Sequence, residues 1–271
     1  MKGNIEETEY AVVTGASCGL GKSFAIDLAS RKINTILISL PGENIAEVCD
    51  ECRKKGTESH FYEADLTDRS ELLRVTEEIN GKYKVKILIN NAGTGGSTVF
   101  EQASLKYLEN IIELNTGVTT FLTHELIPNL KKNAPSYILN ISSLASMTPT
   151  GYKTVYPASK NFVRYLSIGL REELKDSSVS VSVALLGPMP TKPEIVERIK
   201  SQGWVGKFLT VTTKLAARKC IDKMFKGKST IVVGISNKFS YWLLKCIPEG
   251  LRASIMTKSM KNELRCQGIT R

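Results

Sequence analysis

Between Tyr10 and Ala29 the chain reads as strand, glycine loop and helix in direct succession, and no other stretch restricts its fold as much. Tyr10-Ala11-Val12-Val13 is a short apolar run of strand type. Thr14-Gly15-Ala16-Ser17-Cys18-Gly19-Leu20-Gly21 follows, and Phe24, Ile26, Leu28 and Ala29 then recur at helical spacing. Glycines let a backbone approach a pyrophosphate closely, and the free N–H groups and dipole of a helix start favour its negative charge. The spacing is T-G-x-x-x-G-x-G and not the G-x-G-x-x-G of the general dinucleotide fingerprint.

The rest of the 271-residue chain continues the alternation. Strands are expected near 10–14, 34–39, 58–64, 86–90, 136–142, 180–186 and 230–233. Helices are expected over 19–31, 43–55, 69–80, 104–131, 157–176 and 213–226, with a short one around 193–202. Such alternation predicts an α/β fold: one doubly wound, Rossmann-type domain with a parallel sheet of about seven strands and helices on both faces. No Pro, Ser or Gly-rich linker divides it. The catalytic domain is expected over 1–235, with a movable lid at about 188–212, and 236–271 is read as a basic helical extension of the same domain.

Further motifs fall where this layout puts strand ends. Asp65-Leu66 follows the third strand, Asn90-Asn91-Ala92-Gly93 the fourth, and Ser142-Ser143 ends the fifth; Asn115 stands alone between them. Tyr156-Pro157-Ala158-Ser159-Lys160 then sets a phenol and an ammonium one helical turn apart, so both side chains reach the same point. A fixed ammonium beside a phenol, whose ordinary pKa is near 10, favours the phenolate. Read alone, a Tyr four residues before a Lys is more often a solvated surface pair. With its companions in this order, the chain from roughly Tyr10 to Val233 resembles the classical short-chain dehydrogenase/reductase family.

The resemblance implies an NAD(P)-dependent enzyme that interconverts a ketone and a secondary alcohol. It implies Tyr156 as proton donor to the carbonyl, Lys160 as the group that lowers the Tyr156 pKa and holds the nicotinamide ribose, and Ser143, thirteen residues before the tyrosine, as the hydroxyl that polarises the substrate oxygen. Asn115 is implied as the holder of a water linking Lys160 to solvent. The cofactor is expected to lie along Gly15, Ser17, Cys18, Gly19, Leu20 and Gly21, to meet Ser39 at the adenosine ribose, and to pass Asp65, Leu66, Asn91, Ala92 and Gly93. It then reaches Gly187, Met189 and Thr191 beside the nicotinamide. Leu186 replaces the proline that the family usually carries before Gly187.

The adenosine end departs from both usual patterns. An acidic residue at the end of the second strand would bind the ribose hydroxyls of NAD, and an arginine would bind the extra phosphate of NADP. Here Ile36-Leu37-Ile38-Ser39-Leu40 offers neither, and Cys18 occupies the position before the second glycine where many NADP enzymes of the family place a basic residue. With no carboxylate to repel a phosphate, NADP is the preferred expectation and NAD the alternative.

Composition and charge limit the other readings. The first residues lack the apolar core of a signal peptide, no run approaches the ~18 apolar residues of a membrane span, and six irregularly spaced cysteines predict reduced thiols. The expectation is a cytoplasmic protein without a metal. Cys49 and Cys52 lie in a predicted helix and read as ordinary thiols. Gly15-Ala16-Ser17-Cys18-Gly19 also satisfies G-x-S-x-G, which makes a serine hydrolase the alternative enzyme class. Its base would have to be His60, in a predicted strand, or His124, in a predicted helix, and neither is on a late loop. The net charge of +10 invites a nucleic-acid or scaffold reading, but no nucleic-acid motif accompanies it.

Much of that charge sits in the tail, where 236–271 holds seven basic residues against two acidic ones. Phe239, Trp242, Leu243, Cys246 and Ile247 form one apolar helical face, and Pro248 and Gly250 precede a second basic helix with Leu251, Ile255, Met256 and Met260. Two arrangements fit: a helix packed on its own domain or a sister subunit, or an interfacial helix resting on an anionic membrane at its inner face. Basic amphipathic extensions of this kind resemble those of family members acting on 3-oxoacyl chains, 3-ketosphinganine or steroids. A hydrophobic ketone or alcohol is therefore the expected substrate, Phe100, Met147, Tyr152, Met189, Trp204 and Phe208 the expected apolar lining, and a homodimer or homotetramer the expected assembly.

Overall fold

The apolar run that opens the glycine motif is strand β1 (Glu9–Thr14), buried along its whole length. In the computed structural model, which describes residues 9–189 and 210–266, it is an inner strand of one seven-stranded sheet. The other strands are β2 (Asn34–Ser39), β3 (Ser59–Glu63), β4 (Lys84–Asn90), β5 (Ser136–Ser143), β6 (Val179–Leu186) and β7 (Thr230–Val232). Their order is β3-β2-β1-β4-β5-β6-β7, with every neighbouring pair parallel. The strand order reverses between β1 and β4, the place where open α/β sheets leave a crevice for ligands.

Helices cover both faces, and the two-residue period of the strands divides the core between them. Ala11 and Val13 of β1 join Phe24 and Leu28 of α1 (Gly19–Ser30), Cys49 and Cys52 of α2 (Ile45–Arg53), and Ile221 and Met224 of α7 (Thr213–Met224). Tyr10 and Val12 point the other way, onto Leu72 and Ile79 of α3 (Arg69–Lys82) and Leu122 and Leu126 of α5 (Val118–Lys132). Each large aliphatic side chain buried this way stabilises the fold by about 1.5–3 kcal/mol. Cys49 and Cys52 are core thiols; burial pushes Cys52 up to about 11.

The single helix expected over 104–131 is instead two, α4 (Leu105–Ile112) and α5, joined by a π-helical turn over Glu113–Gly117. The extra residue in that turn carries the lone Asn115, whose side chain is fully buried. Helix α6 (Val155–Glu173) presents Tyr156 and Lys160 from its first turns. The tail forms α8 (Ile235–Cys246) and α9 (Glu249–Cys266). The expected helix around 193–202, most of the lid, and Thr191, Trp204 and Phe208 lie outside the described residues.

Candidate active site

All the motif residues near strand ends collect at the carboxyl edge of the sheet. At the β1 end, α1 starts at Cys18 with no side-chain cap, whereas α3, α4 and α7 are closed by Asp68, Ser104 and Thr212. The first N–H groups of α1 are thus left for water or an anion. A Cβ added at Gly21 would stand 1.9 Å from the Gly15 carbonyl oxygen, so the turn closes only around glycine. This uncapped, glycine-lined cradle fits the pyrophosphate of a nicotinamide dinucleotide. Leu20 and Leu66 turn their side chains into the core, which leaves only their backbone for a ligand.

The loop after β4 is tied to the glycine loop. Thr14 Oγ1 accepts from Asn91 N at 3.0 Å and from Ala92 N at 2.9 Å, and Asn91 Nδ2 donates to the carbonyls of Thr14 (2.9 Å) and Gly15 (3.1 Å). Asn91 therefore holds the two loops together. Two residues on from Asn91, a Cβ at Gly93 would lie 2.9 Å from Asn115 Oδ1 and 3.0 Å from Lys160 Nζ. Three of the predicted site residues thus meet around one point.

Asn115 is fixed there from two sides. Its Nδ2 donates to Thr94 O and to Ser159 Oγ, both at 2.9 Å, and its Oδ1 accepts from Thr94 N at 2.9 Å. Ser159 Oγ donates in turn to Tyr156 O at 2.8 Å, so Asn115 is coupled to the helix turn that carries the phenol. Ser159 is a residue that sequence reasoning missed, although it is the fourth residue of the Tyr-to-Lys run. Lys160 Nζ donates to Ile141 O at 3.1 Å and is buried, which lowers its pKa from 10.5 to about 8 by desolvation.

The two adjacent serines separate cleanly. Ser142 is buried and donates to the Lys160 carbonyl at 2.7 Å, so it braces α6. Ser143 is only half-buried at the strand end, accepting from Ala145 N at 3.1 Å and donating to Leu186 O at 3.4 Å. The loop after β4 passes over the Tyr156 ring: a Cβ at Gly95 would stand 2.3 Å from Tyr156 Cδ2. Lys153 Nζ lies 5.0 Å from the centre of the same ring.

A family model described as short chain dehydrogenase matches residues 9–202. The chain belongs to the short-chain dehydrogenase family. It is an NAD(P)-dependent oxidoreductase of that family. Among curated relatives of this short-chain dehydrogenase is the very-long-chain 3-oxoacyl-CoA reductase of Anas platyrhynchos, 29% identical over 266 residues, covering 94% of this chain and 84% of that protein. The reductase of the same name from Neurospora crassa is 35% identical over 182 residues, covering 65% of this chain but only 54% of the relative's length. A solved short-chain dehydrogenase from Sphingobium yanoikuyae in complex with NADPH is 26% identical, with a TM-score of 0.77, covering 90% of this chain and 94% of that one. A 7β-hydroxysteroid dehydrogenase structure shares the fold at a TM-score of 0.82 and 20% identity, covering 92% of this chain and 96% of that one.

Other expectations need correction. Ser17 donates to Glu43 Oε2 at 2.6 Å, while His60 packs against the rings of Tyr10 and Tyr83 and His124 pairs with Glu125 on the surface. No histidine meets Ser17, and the serine hydrolase reading is not supported. The same hydrogen bond overturns the premise that no carboxylate lies near the adenosine end. Met147 packs with Val183, Leu185 and Val232 in a third core cluster, and Met189 leans on the first.

The tail packs on its own domain, one of its two expected arrangements, but through a different face from the predicted one. Asn237, Tyr241 and Leu244, at i, i+4 and i+7, face the domain, while the predicted apolar face of Phe239, Trp242 and Leu243 is exposed. From α9, Thr257 Oγ1 accepts from Gly151 N at 2.9 Å, Met260 Sδ lies 3.3 Å from Ser97 Oγ, and Arg252 donates to Met147 O. These residues wall the loops that flank Tyr156, a role no motif signalled. No helix among the described residues is long and apolar enough to cross a membrane.

Proposed function

We propose that this short-chain dehydrogenase reduces a hydrophobic ketone to a secondary alcohol, or catalyses the reverse oxidation, with 3-oxoacyl thioesters as the leading substrate class. The observation that carries the reading is the convergence of Gly93, Asn115 and Lys160 on one point beside Tyr156. Names of the curated relatives support the substrate class. In the proposed reaction Ser143 Oγ holds the carbonyl oxygen and the Tyr156 hydroxyl donates its proton to it. The Lys160 ammonium favours the phenolate that remains, and its pKa of about 8 lets it pass on a proton near neutrality. Asn115, held open by the π turn, is proposed to seat the water that returns the proton to Lys160. The nicotinamide dinucleotide, when bound, supplies the hydride to carbon.

Two surfaces extend the reading. On the tail, Ile235 is 86% exposed, Phe239 68% and Trp242 64%, with Lys238 and Lys245 exposed among them. This combination of apolar and basic side chains suits an anionic lipid surface, and the inner faces of α8 and α9 reach the substrate loops. A lipid-dissolved ketone would then enter close to Tyr156. Leu105 and Ile112 on α4 and Phe162 and Tyr165 on α6 are also exposed, and they are the proposed contact for a second copy in a dimer or tetramer.

The test of the activity is consumption of reduced nicotinamide cofactor, followed across 3-oxoacyl thioesters, 3-ketosphinganine, steroid ketones and small diketones. Preferential turnover of the long-chain 3-oxoacyl thioesters is expected. Turnover confined to small soluble diketones would contradict the substrate class, and none with any ketone would contradict the reaction.

A further inference from the structure

The adenosine end of the groove carries a charge that the sequence pattern hides. Glu43 lies four residues beyond the end of β2, outside the position where the family places its acidic residue. Its two neighbours, Gly42 (φ 78°) and Asn44 (φ 53°), both adopt left-handed backbone, which turns the loop back toward β1. Gly42 N donates to Glu63 Oε1 at 2.9 Å and anchors that turn on the end of β3. The result is the 2.6 Å bond between Ser17 Oγ in the glycine loop and Glu43 Oε2. The glycine loop is itself bonded to β2, through Ala16 N and Ile38 O at 3.2 Å. Glu43 therefore stands against the glycine loop, on the turn that follows Ser39.

Among the described residues no salt bridge reaches Glu43. Cys18 and Leu40, at the two positions where a cation would meet a 2′-phosphate, are neutral and exposed. Lys22 of α1 is committed to Glu51 at 2.7 Å. Glu63 and Asp65, at the end of β3, add two further exposed carboxylates, so this corner is acidic on a chain with a net charge of +10. A carboxylate accepts hydrogen bonds from ribose hydroxyls and repels a phosphate that carries up to two negative charges.

We infer that Glu43 sets the cofactor preference of this enzyme: its carboxylate accepts from the adenosine ribose hydroxyls and excludes a 2′-phosphate, so NADH is bound in preference to NADPH. The inference rests on the reading that a nicotinamide dinucleotide lies along the glycine loop, and it reverses the preference that the β2 end alone suggests.

The experiment is titration of the full chain with NADH and with NADPH, by calorimetry or quenching of tryptophan fluorescence, for the unmodified protein, Glu43→Gln and Glu43→Lys. The unmodified protein should bind NADH more tightly. Glu43→Gln should tighten NADPH about tenfold relative to NADH, and Glu43→Lys should invert the preference. High salt should narrow the gap in the unmodified protein, because the groups are exposed. If both dinucleotides bind and Glu43→Gln leaves their ratio unchanged, or if the unmodified protein already favours NADPH, the assignment of Glu43 is overturned. If neither binds, the reading beneath it fails as well.

Discussion

Gly21 passes so close to Gly15 that a single added carbon would overlap the Gly15 carbonyl oxygen, at 1.9 Å, and press on Asn91 Nδ2 at 2.7 Å. Both obstacles are fixed, one being backbone and the other a side chain already bonded to Thr14 and Gly15. Gly21→Ala is therefore expected to cost about 1–3 kcal/mol in stability and to weaken dinucleotide binding. Gly81, in α3 with open space around its Cβ position, is the control: Gly81→Ala should be neutral or stabilising by up to about 1 kcal/mol. Urea denaturation of the two variants checks the contrast, and equal effects would contradict the close approach.

Burial of Lys160 has a consequence for stability that can be measured without substrate. Its folded pKa of about 8 lies below its ordinary 10.5, so between those values the unfolded chain binds more protons than the folded one. Stability from this group accordingly rises with pH across that window. Compared with Lys160→Met, the unmodified protein should gain about 2 kcal/mol between pH 8 and 9.5. Parallel stability curves for the two proteins would show that Lys160 is not desolvated.

Exposed apolar side chains on α8 make the lipid-surface reading testable by point substitution. Removing the whole tail would also remove Thr257, Met260 and Arg252 from the walls of the site, so truncation would confuse the two roles. Phe239→Glu with Trp242→Glu leaves those walls intact. Co-sedimentation with phosphatidylserine vesicles at low salt should be lost in this double variant, while turnover of a short soluble ketone is retained. Unchanged vesicle binding would rule out this face as the contact.

The sequence reveals the sheet because its strands are buried on both faces and read as unbroken apolar runs; Ile36-Leu37-Ile38 and Ile87-Leu88-Ile89 leave little choice. The meeting of Tyr156 and Lys160 follows from helical spacing alone. Other features depend on backbone geometry that residue patterns do not encode. The π turn at Asn115 inserts one residue without interrupting the polar and apolar alternation around it, so 104–131 reads as one helix. Glu43 reaches Ser17 only because Gly42 and Asn44 reverse the loop. On α8 two apolar stripes compete, and an amphipathic pattern does not say which of Tyr241 with Leu244 or Phe239 with Trp242 meets the domain.

Tyr156 as proton donor is the centre of this account, and Tyr156→Phe tests it most directly because it removes only the phenolic oxygen and its proton. The measurement is the rate of cofactor oxidation with a 3-oxoacyl thioester, alongside the dissociation constant of the reduced cofactor for the same two proteins. The account predicts that the variant binds cofactor as before and turns over at least ~10²-fold more slowly. Near-normal turnover in a folded, cofactor-binding Tyr156→Phe protein would contradict it.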